Sequence, residues 1–341
     1  MRAMVVSTFG AAPELRELPD PIISDGDVLL KVMACGVCHT DLKVRDGLVP
    51  NTSPPIVLGH EAAGEVVAVG SSVTGIAVGD RGVPYGYETC GTCIECRCGR
   101  ESLCESLSGR LGFDQQGGQC ELIRVPARLF LKIDPRLTFQ QAAVTTCSMV
   151  TPYRGIVRRA RVRVGETVVV VGAGGGLGLH AVQIAHLVGA TVIAIDSDTA
   201  RTEAITQQGA DHVVIVDGNE FSDRVRSILD GRGADVVVDL VGSTASIGEG
   251  IEAVRNGGRI VVIGYRADQL VQVGIPDLVF REIELYGCHW ASIVDLIEVL
   301  DLVAQGALNP VISHAYPLEQ AAAALDDLEG GRIVGRAALV M

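Results

Sequence analysis

Four cysteines fall within 15 residues: Cys90, Cys93, Cys96 and Cys104, with Gly91 and Gly99 among them allowing sharp reversals. Four sulfurs at such spacing can surround one Zn²⁺ as a tetrahedron, a closed set with no coordination place for a substrate. Its work would be to clamp a loop. A disulfide pair and an iron–sulfur cluster use the same residue type and stay open as readings; Cys98 is a fifth candidate the spacing does not need. A second group is dispersed: Cys38 in Ala34-Cys-Gly-Val-Cys-His-Thr-Asp41, His60 and Glu61 in Gly59-His-Glu, and Cys147 in Thr146-Cys-Ser. Two thiolates and one imidazole make the donor set of an open, catalytic zinc site. Taken singly, each is ordinary, because a lone Cys is usually a small buried hydrophobe. Spacing alone does not bring these three segments together.

A third feature is Val168-Val-Val-Val-Gly172-Ala-Gly174-Gly175-Gly176-Leu177-Gly178. Glycines between a strand and a helix let a pyrophosphate approach backbone N–H groups at the helix start. The strict G-x-G-x-x-G spacing fails, since counting from Gly172 and Gly174 the last place is Leu177. Gly172, Gly175 and Gly178, or a turn with one inserted residue, is the usable reading. The next strand ends in Asp196, 18 residues beyond Gly178. A carboxylate there can accept the ribose hydroxyls of adenosine and repels a 2′-phosphate, which favours NAD over NADP. Arg201 lies further on and reads equally well as a solvated helix face. Val241 and Ile263, at the ends of two later strands, are also placed along the cofactor.

The elements that must hold these groups show two textures. From Met1 to about Val150, short runs such as Val28–Met33, Glu65–Val69 and Leu122–Val125 are cut by Gly, Pro and Asp, the mark of a β-rich, loop-rich domain. From about Val164, apolar runs at 167–171, 191–195, 212–216, 235–240, 259–263 and 284–287 alternate with helical patterns at 179–188, 199–208, 221–229 and 245–254. That alternation predicts a parallel sheet covered on both faces. Helices are expected at 293–305 and 318–329, and a last strand within 333–341.

Composition sets outer limits. A chain of 341 residues, 48% hydrophobic and 20% charged, is long enough for two domains and is not disordered. Its 41 glycines, about 12%, exceed the usual ~7% and fit many tight turns. A net charge of −13 argues against nucleic acid as a partner. Met1 to Asp20 carries no apolar run, and Thr167–Ile195 is interrupted by His180, Gln183 and His186. Neither a secretion signal nor a membrane span is therefore expected, and the ten cysteines fit a cytoplasmic protein.

Cys-Gly-Val-Cys-His-Thr-Asp, Gly-His-Glu, the four-cysteine lobe and Gly-Ala-Gly-Gly-Gly-Leu-Gly, in that order, resemble the zinc-dependent alcohol dehydrogenases of the medium-chain dehydrogenase/reductase superfamily. Val78-Gly-Asp-Arg81 and Gly335-Arg336 extend the likeness over essentially the whole chain. The resemblance implies an α/β protein: a GroES-like β-rich catalytic domain, residues 1–149 and 291–341, around a Rossmann doubly wound parallel-sheet domain, 150–290. It implies one catalytic zinc on Cys38, His60 and Cys147, and one structural zinc on Cys90, Cys93, Cys96 and Cys104. Glu61 would be an occasional ligand, and Asp41 the acceptor that fixes the His60 tautomer. Thr40 would take the proton of the alcohol. Thr151 would contact the nicotinamide, and His39 and Arg336 the pyrophosphate. Lys43 stands where many relatives have a relaying His, and a lysine with an ordinary pKa near 10.4 is a poor base at pH 7. The proton then leaves either directly to water or through Lys43 with a lowered pKa.

The implied reaction moves a hydride between an alcohol and NAD, with zinc as Lewis acid. Alternatives are a related enzyme acting on polyols or CoA thioesters, and a noncatalytic zinc- and NAD-binding protein. Cys147 favours the alcohol branch over the polyol one. Leu48, Val49, Tyr85, Tyr87 and Trp290 are candidate pocket neighbours of an alcohol or carbonyl substrate. A homodimer or homotetramer, joined along the strand at 284–287, is the assembly implied.

Overall fold

The computed structural model describes residues 1–218 and 220–341. Two compact units divide the chain: Met1–Cys147 with Ala291–Met341, and Ser148–Trp290.

The first unit is built on a seven-stranded sheet. Its strands run in the order Ile312–Pro317, Arg336–Val340, Asp27–Val37, Glu61–Val69, Arg81–Pro84, Phe130–Lys132, with Leu122–Pro126 also paired to Asp27–Val37. The long Asp27–Val37 strand shows why it sits centrally. Val28, Leu30, Val32 and Ala34 are fully buried on one face while Lys31 faces solvent, the period-2 pattern of a half-covered strand. From Ala34 to Val37 every residue is buried. A second sheet of Glu14–Glu17, Arg2–Val6 and Ile56–Val57 and the Ala321–Glu329 helix complete this unit.

The second unit is a six-stranded sheet in the order His212–Ile215, Thr191–Asp196, Thr167–Val171, Ala234–Asp239, Val254–Val262, Glu284–Gly287. All neighbours pair in parallel. The central Thr167–Val171 strand is buried at every position, as expected where helices cover both faces. The helices fall at Gly178–Leu187, Thr202–Gln207, Ser222–Ile228 and Thr244–Ala253. The helical pattern at 199–208 resolves into a 3₁₀ turn, Thr199–Arg201, followed by the α-helix, and 318–329 begins the same way with Leu318–Gln320.

One helical segment differs from any reading of the sequence. A helix starting at Phe139, capped by Thr138 and Gln141, widens into a π-turn at Thr145–Met149 and again at Arg154–Arg159. The causes are local. Thr145 and Thr146 donate their hydroxyls to the carbonyls of Gln141 and Ala143, both at 2.7 Å, which bends a helix. Pro152 has no N–H to give and crowds the carbonyl four residues back. Cys147 lies in the first widened turn, and such turns recur at functional sites.

Candidate active site

Sheet register assembles the dispersed donors. Gly36 lies opposite Glu61 across one strand pair, and Val37 opposite Ala337 across the other. The end of Asp27–Val37 therefore meets the start of Glu61–Val69 on one side and the start of Arg336–Val340 on the other. Cys38, His60, Glu61 and Arg336 arrive at that junction, and the π-turn adds Cys147. The ligand atoms of Cys38, His60, Glu61 and Cys147 all lie within 4.8 Å of one another.

Cys38 leaves its strand as the cap of a helix, His39–Arg45, that periodicity did not show. Its sulfur accepts from the Thr40 N–H, and the Asp41 carboxylate accepts from the Cys38 N–H at 2.8 Å, a capping box. The signal in the sequence was Cys-x-x-Asp, with cysteine standing where Ser or Thr usually stands. Asp41 is completely buried and has a second task. Its Oδ1 lies 3.3 Å from His60 Nδ1 and 3.3 Å from the Gly59 nitrogen, so Nε2 is the ring atom turned toward the donors. Glu61 fits because residue 36 is glycine. A Cβ there would stand 2.1 Å from Glu61 Oε2.

Arg336 is 1% exposed. Its Nη2 donates to Glu61 Oε1 at 2.9 Å and approaches Cys38 Sγ at 3.4 Å and Cys147 Sγ at 3.8 Å. The residue expected at a pyrophosphate thus sits among the metal-binding donors. Glu61 Oε2 and Arg336 Nε have no partner of their own among the described residues. The charges shape the pocket. The Cys38 thiol is held well below its ordinary value, first by its hydrogen bond with Cys147 and, against burial, by Arg336. That same bond and burial push Cys147 well above its own. Burial raises Glu61 to about 7 even though Arg336 opposes it. Burial lowers His60, but the Asp41 carboxylate overrides it and leaves the ring raised. Two sulfurs, an imidazole and a carboxylate oxygen within 4.8 Å of one another make a donor set suited to a cation.

The remaining residues of the set lie nearby on the same helix. The Thr40 hydroxyl is 3.6 Å from Cys38 Sγ. His39 is exposed and Lys43 half-buried. Of the expected pocket neighbours, Leu48 is exposed and Val49 and Tyr87 are buried. Tyr85 is buried too, its hydroxyl donating to the Ala291 carbonyl at 2.7 Å.

The four-cysteine lobe closes as its spacing predicts. Cys90 lies 3.9 Å from Cys96 and 3.6 Å from Cys104, and Cys93 lies 4.0 Å from Cys104, sulfur to sulfur. A tetrahedral Zn–S₄ site with ~2.3 Å bonds has sulfurs about 3.8 Å apart. Backbone N–H groups of Thr92 and Cys93 point at the Cys90 sulfur and lower its pKa to about 5. Cys98 is exposed and outside the set.

The second unit carries the glycine turn. Gly172 takes φ +81°, open to glycine at no steric cost, and a Cβ at Gly178 would lie 2.1 Å from the Gly172 carbonyl oxygen. Gly175, Gly176 and Leu177 complete the turn into the Gly178–Leu187 helix. Asp196 Oδ2 accepts from the Gly174 N–H at 2.7 Å, and Oδ1 from Ser197 and Asp198 at 2.9 and 3.0 Å. Arg201 is no solvated helix face. Its Nη1 donates to the Gly174 carbonyl at 2.9 Å and its Nε pairs with Asp198. Val241 packs near Gly172, and Ile263 near Gly155. Thr151 is buried with Oγ1 unpartnered among the described residues.

Comparison with known proteins agrees with this construction. Residues 24–135 match the alcohol dehydrogenase GroES-like domain, and residues 176–305 match the zinc-binding dehydrogenase domain. The chain is 35% identical to a NAD-dependent alcohol dehydrogenase of Sulfurisphaera tokodaii, all of both chains being covered. It is 34% identical to an acryloyl-coenzyme A reductase of Metallosphaera sedula, over 99% of each. The crystal structure of the alcohol dehydrogenase from Aeropyrum pernix superposes with a TM-score of 0.93 at 28% identity, again covering both chains entirely. With a closed sulfur tetrahedron, a mixed donor set on two strand ends and a widened helical turn, and a glycine turn on a parallel sheet, the chain belongs to the zinc-dependent alcohol dehydrogenase family of medium-chain dehydrogenases/reductases, and is an NAD-linked, zinc-binding oxidoreductase.

Proposed function

We propose that this enzyme interconverts alcohols and aldehydes or ketones with NAD(H), the first unit supplying the metal and substrate residues and the second the cofactor residues. The observation that carries it is the buried meeting of Cys38, His60 and Cys147, beside Glu61 and one Thr40 hydroxyl. These donors fit Zn²⁺: two sulfurs and a neutral imidazole balance its charge. Zinc held there supplies Lewis-acid polarisation of a substrate oxygen. The chain does the rest. Asp41 orients the imidazole, and Arg336 holds Glu61 aside through Oε1. The Thr40 hydroxyl exchanges the substrate proton, which leaves either directly to water or through Lys43, one turn further along the same helix. Asp196, steadied by the Gly174 N–H, accepts from the adenosine ribose.

A second reading, reduction of the activated alkene of a CoA thioester, draws on the comparable similarity to the Metallosphaera sedula reductase. NADH absorbance separates the two. A panel of primary and secondary alcohols, ketones and acryloyl-CoA is run before and after chelation. Metal-dependent turnover of alcohols or ketones is expected, whereas turnover of the thioester alone would replace the first reading by the second. Asp196→Gly should cut the preference for NAD over NADP about tenfold, one good hydrogen-bonded contact to a charged group.

None of the ten cysteines is in a disulfide and six of them stand in metal-binding sets, which supports a cytoplasmic setting. The Glu284–Gly287 edge strand, with Leu285 and the neighbouring Phe280 exposed, supports pairing with a second copy. Sedimentation of the wild type against Leu285→Lys tests this, a single smaller species being expected for the variant.

A further inference from the structure

We propose that Phe113 is a positioning residue for His60, held in place by a loop that runs out of the four-cysteine lobe. The inference rests on the reading of Cys38, His60 and Cys147 as metal ligands. Asp41 Oδ1 lies 3.3 Å from the imidazole Nδ1, yet that nitrogen has no well-aligned hydrogen bond among the described residues, so this contact alone does not set the plane of the ring. Phe113 supplies the missing restraint. Its ring centroid lies 5.2 Å from that of His60, tilted by 47°, within the range of favourable ring pairs. Phe113 is buried in the core cluster that also holds Leu42, Val49, Ile56 and Leu58, where close packing limits its movement.

The loop that carries Phe113 is fixed at both ends. On the lobe side, Glu88 and Gly109 are joined by an N–H to carbonyl bond of 2.8 Å, Ser108 returns one to Glu88 at 2.9 Å, and Leu111 donates to Gly86 at 2.8 Å. On the His60 side, Gly117, Gly118 and Gln119 donate to Val57, Gly59 and Leu58 at 2.8, 2.7 and 2.9 Å. In the middle the loop touches the backbone that carries His60, because a Cβ at Gly112 would stand 2.8 Å from the Gly59 carbonyl. Arg110 holds Phe113 from another direction. Its guanidinium carbon is 5.1 Å from the Phe113 centroid, anchored by Asp114 at 2.8 Å and the Pro50 carbonyl at 3.0 Å. Residues 108–119 thus form a strut from Gly86 and Glu88, at the base of the four-cysteine lobe, to the backbone that carries His60.

Cobalt(II) loading of the whole enzyme tests the inference without relying on turnover, since the absorption of Co²⁺ on sulfur and imidazole reports ligand geometry at each site. Phe113→Leu keeps the core apolar but loses the flat restraint. It should release Co²⁺ from the Cys38 set to a chelator about tenfold more readily, the lower range for losing a group that supports a metal ligand, with a shifted spectrum. Phe113→Tyr should restore both, and Co²⁺ in the four-cysteine lobe should be unaffected. Arg110→Met, which spares the ring, should give a change of about threefold and stands in if Phe113→Leu does not fold. Equal loosening at both sites, or wild-type retention in Phe113→Leu and in Arg110→Met, overturns the proposal. Failure of Co²⁺ to enter the Cys38 set of the wild type would instead overturn the ligand assignment beneath it.

Discussion

The two metal-binding clusters of the first unit solve one problem in opposite ways. The lobe of Cys90, Cys93, Cys96 and Cys104 is local, and its sulfurs find each other across 15 residues of chain with help from nearby backbone N–H groups. The cluster of Cys38, His60, Glu61 and Cys147 is distant. It exists only because two strand pairings and a widened helical turn end at one place. A local cluster can be closed and symmetrical. A distant one can be asymmetric, buried and surrounded by groups with separate duties, such as Asp41, Arg336 and Gly36, and asymmetry is what an open coordination place requires. Breaking a ligand in each should therefore have different consequences.

Cys147→Ala should produce the largest effect. Losing the polarising metal removes several kcal/mol of transition-state stabilisation, so turnover should fall by at least about a thousandfold. The unfolding midpoint should hardly move, and metal analysis should find one zinc per chain. Cys93→Ser should invert the pattern: one zinc again, residual turnover at low temperature, but a midpoint lowered by more than about 5 °C, because a structural metal contributes directly to folding. If both variants lost activity and stability alike, the distinction between the clusters would collapse.

Arg336 sharpens the comparison because, among the described residues, no buried arginine lies against the lobe sulfurs. Arg336 and Glu61 are 1% and 0% exposed in side chain and 2.9 Å apart. Removing one partner of a buried ion pair leaves an uncompensated charge at a cost of about 3–5 kcal/mol. Arg336→Leu should lose that much in denaturant unfolding, and adding Glu61→Gln should return most of it. The pH dependence has a definite sign. Burial already raises Glu61 to about 7, so without Arg336 its folded-state pKa rises further above the unfolded value. Measured on the metal-free protein, the variant should then be most nearly rescued at low pH, where the carboxyl is protonated, and weakest as pH climbs past 7. An equal deficit at pH 5 and pH 8 would show that Arg336 acts through packing only.

The same contrast explains what the sequence disclosed. Periodic apolar runs placed all six parallel strands of the second unit within a few residues, because each is short, continuous and flanked by turn residues. Thr167–Val171 and Glu284–Gly287 were delimited without error. The Val254–Val262 strand was read only from Arg259, since Asn256, Gly257 and Gly258 look like a turn. The four-cysteine lobe was legible because spacing is its geometry. The distant cluster came from resemblance, since no periodicity encodes which strand ends become neighbours. Phe113 and Gly36 left no trace: an aromatic near Gly-Gly and a glycine between two cysteines acquire meaning only once Glu61 and His60 lie against them. Cys38 hid the His39–Arg45 helix by acting as a cap, a role usually given to oxygen.

The smallest expected effects come from one glycine in each cluster, and they separate the two designs by the origin of the cost. Gly91, in the lobe, has φ +72° and nothing within 4 Å of where a Cβ would be. Its constraint is backbone conformation alone. Gly91→Ala should cost about 1 kcal/mol, and Gly91→Asn less, because Asn tolerates that region best among side-chain-bearing residues. Gly36 has no such backbone requirement, yet its Cβ would meet Glu61 Oε2 at 2.1 Å, Cβ at 2.9 Å and Cδ at 3.0 Å. Overpacking a tight buried site costs about 1–3 kcal/mol and grows with side-chain volume, so Gly36→Asn should be worse than Gly36→Ala. The order of Ala and Asn thus reverses between the two sites. Urea unfolding of the four variants reads this directly, and the same order at both positions would mean that Gly36 serves the bend of its strand rather than the space of Glu61.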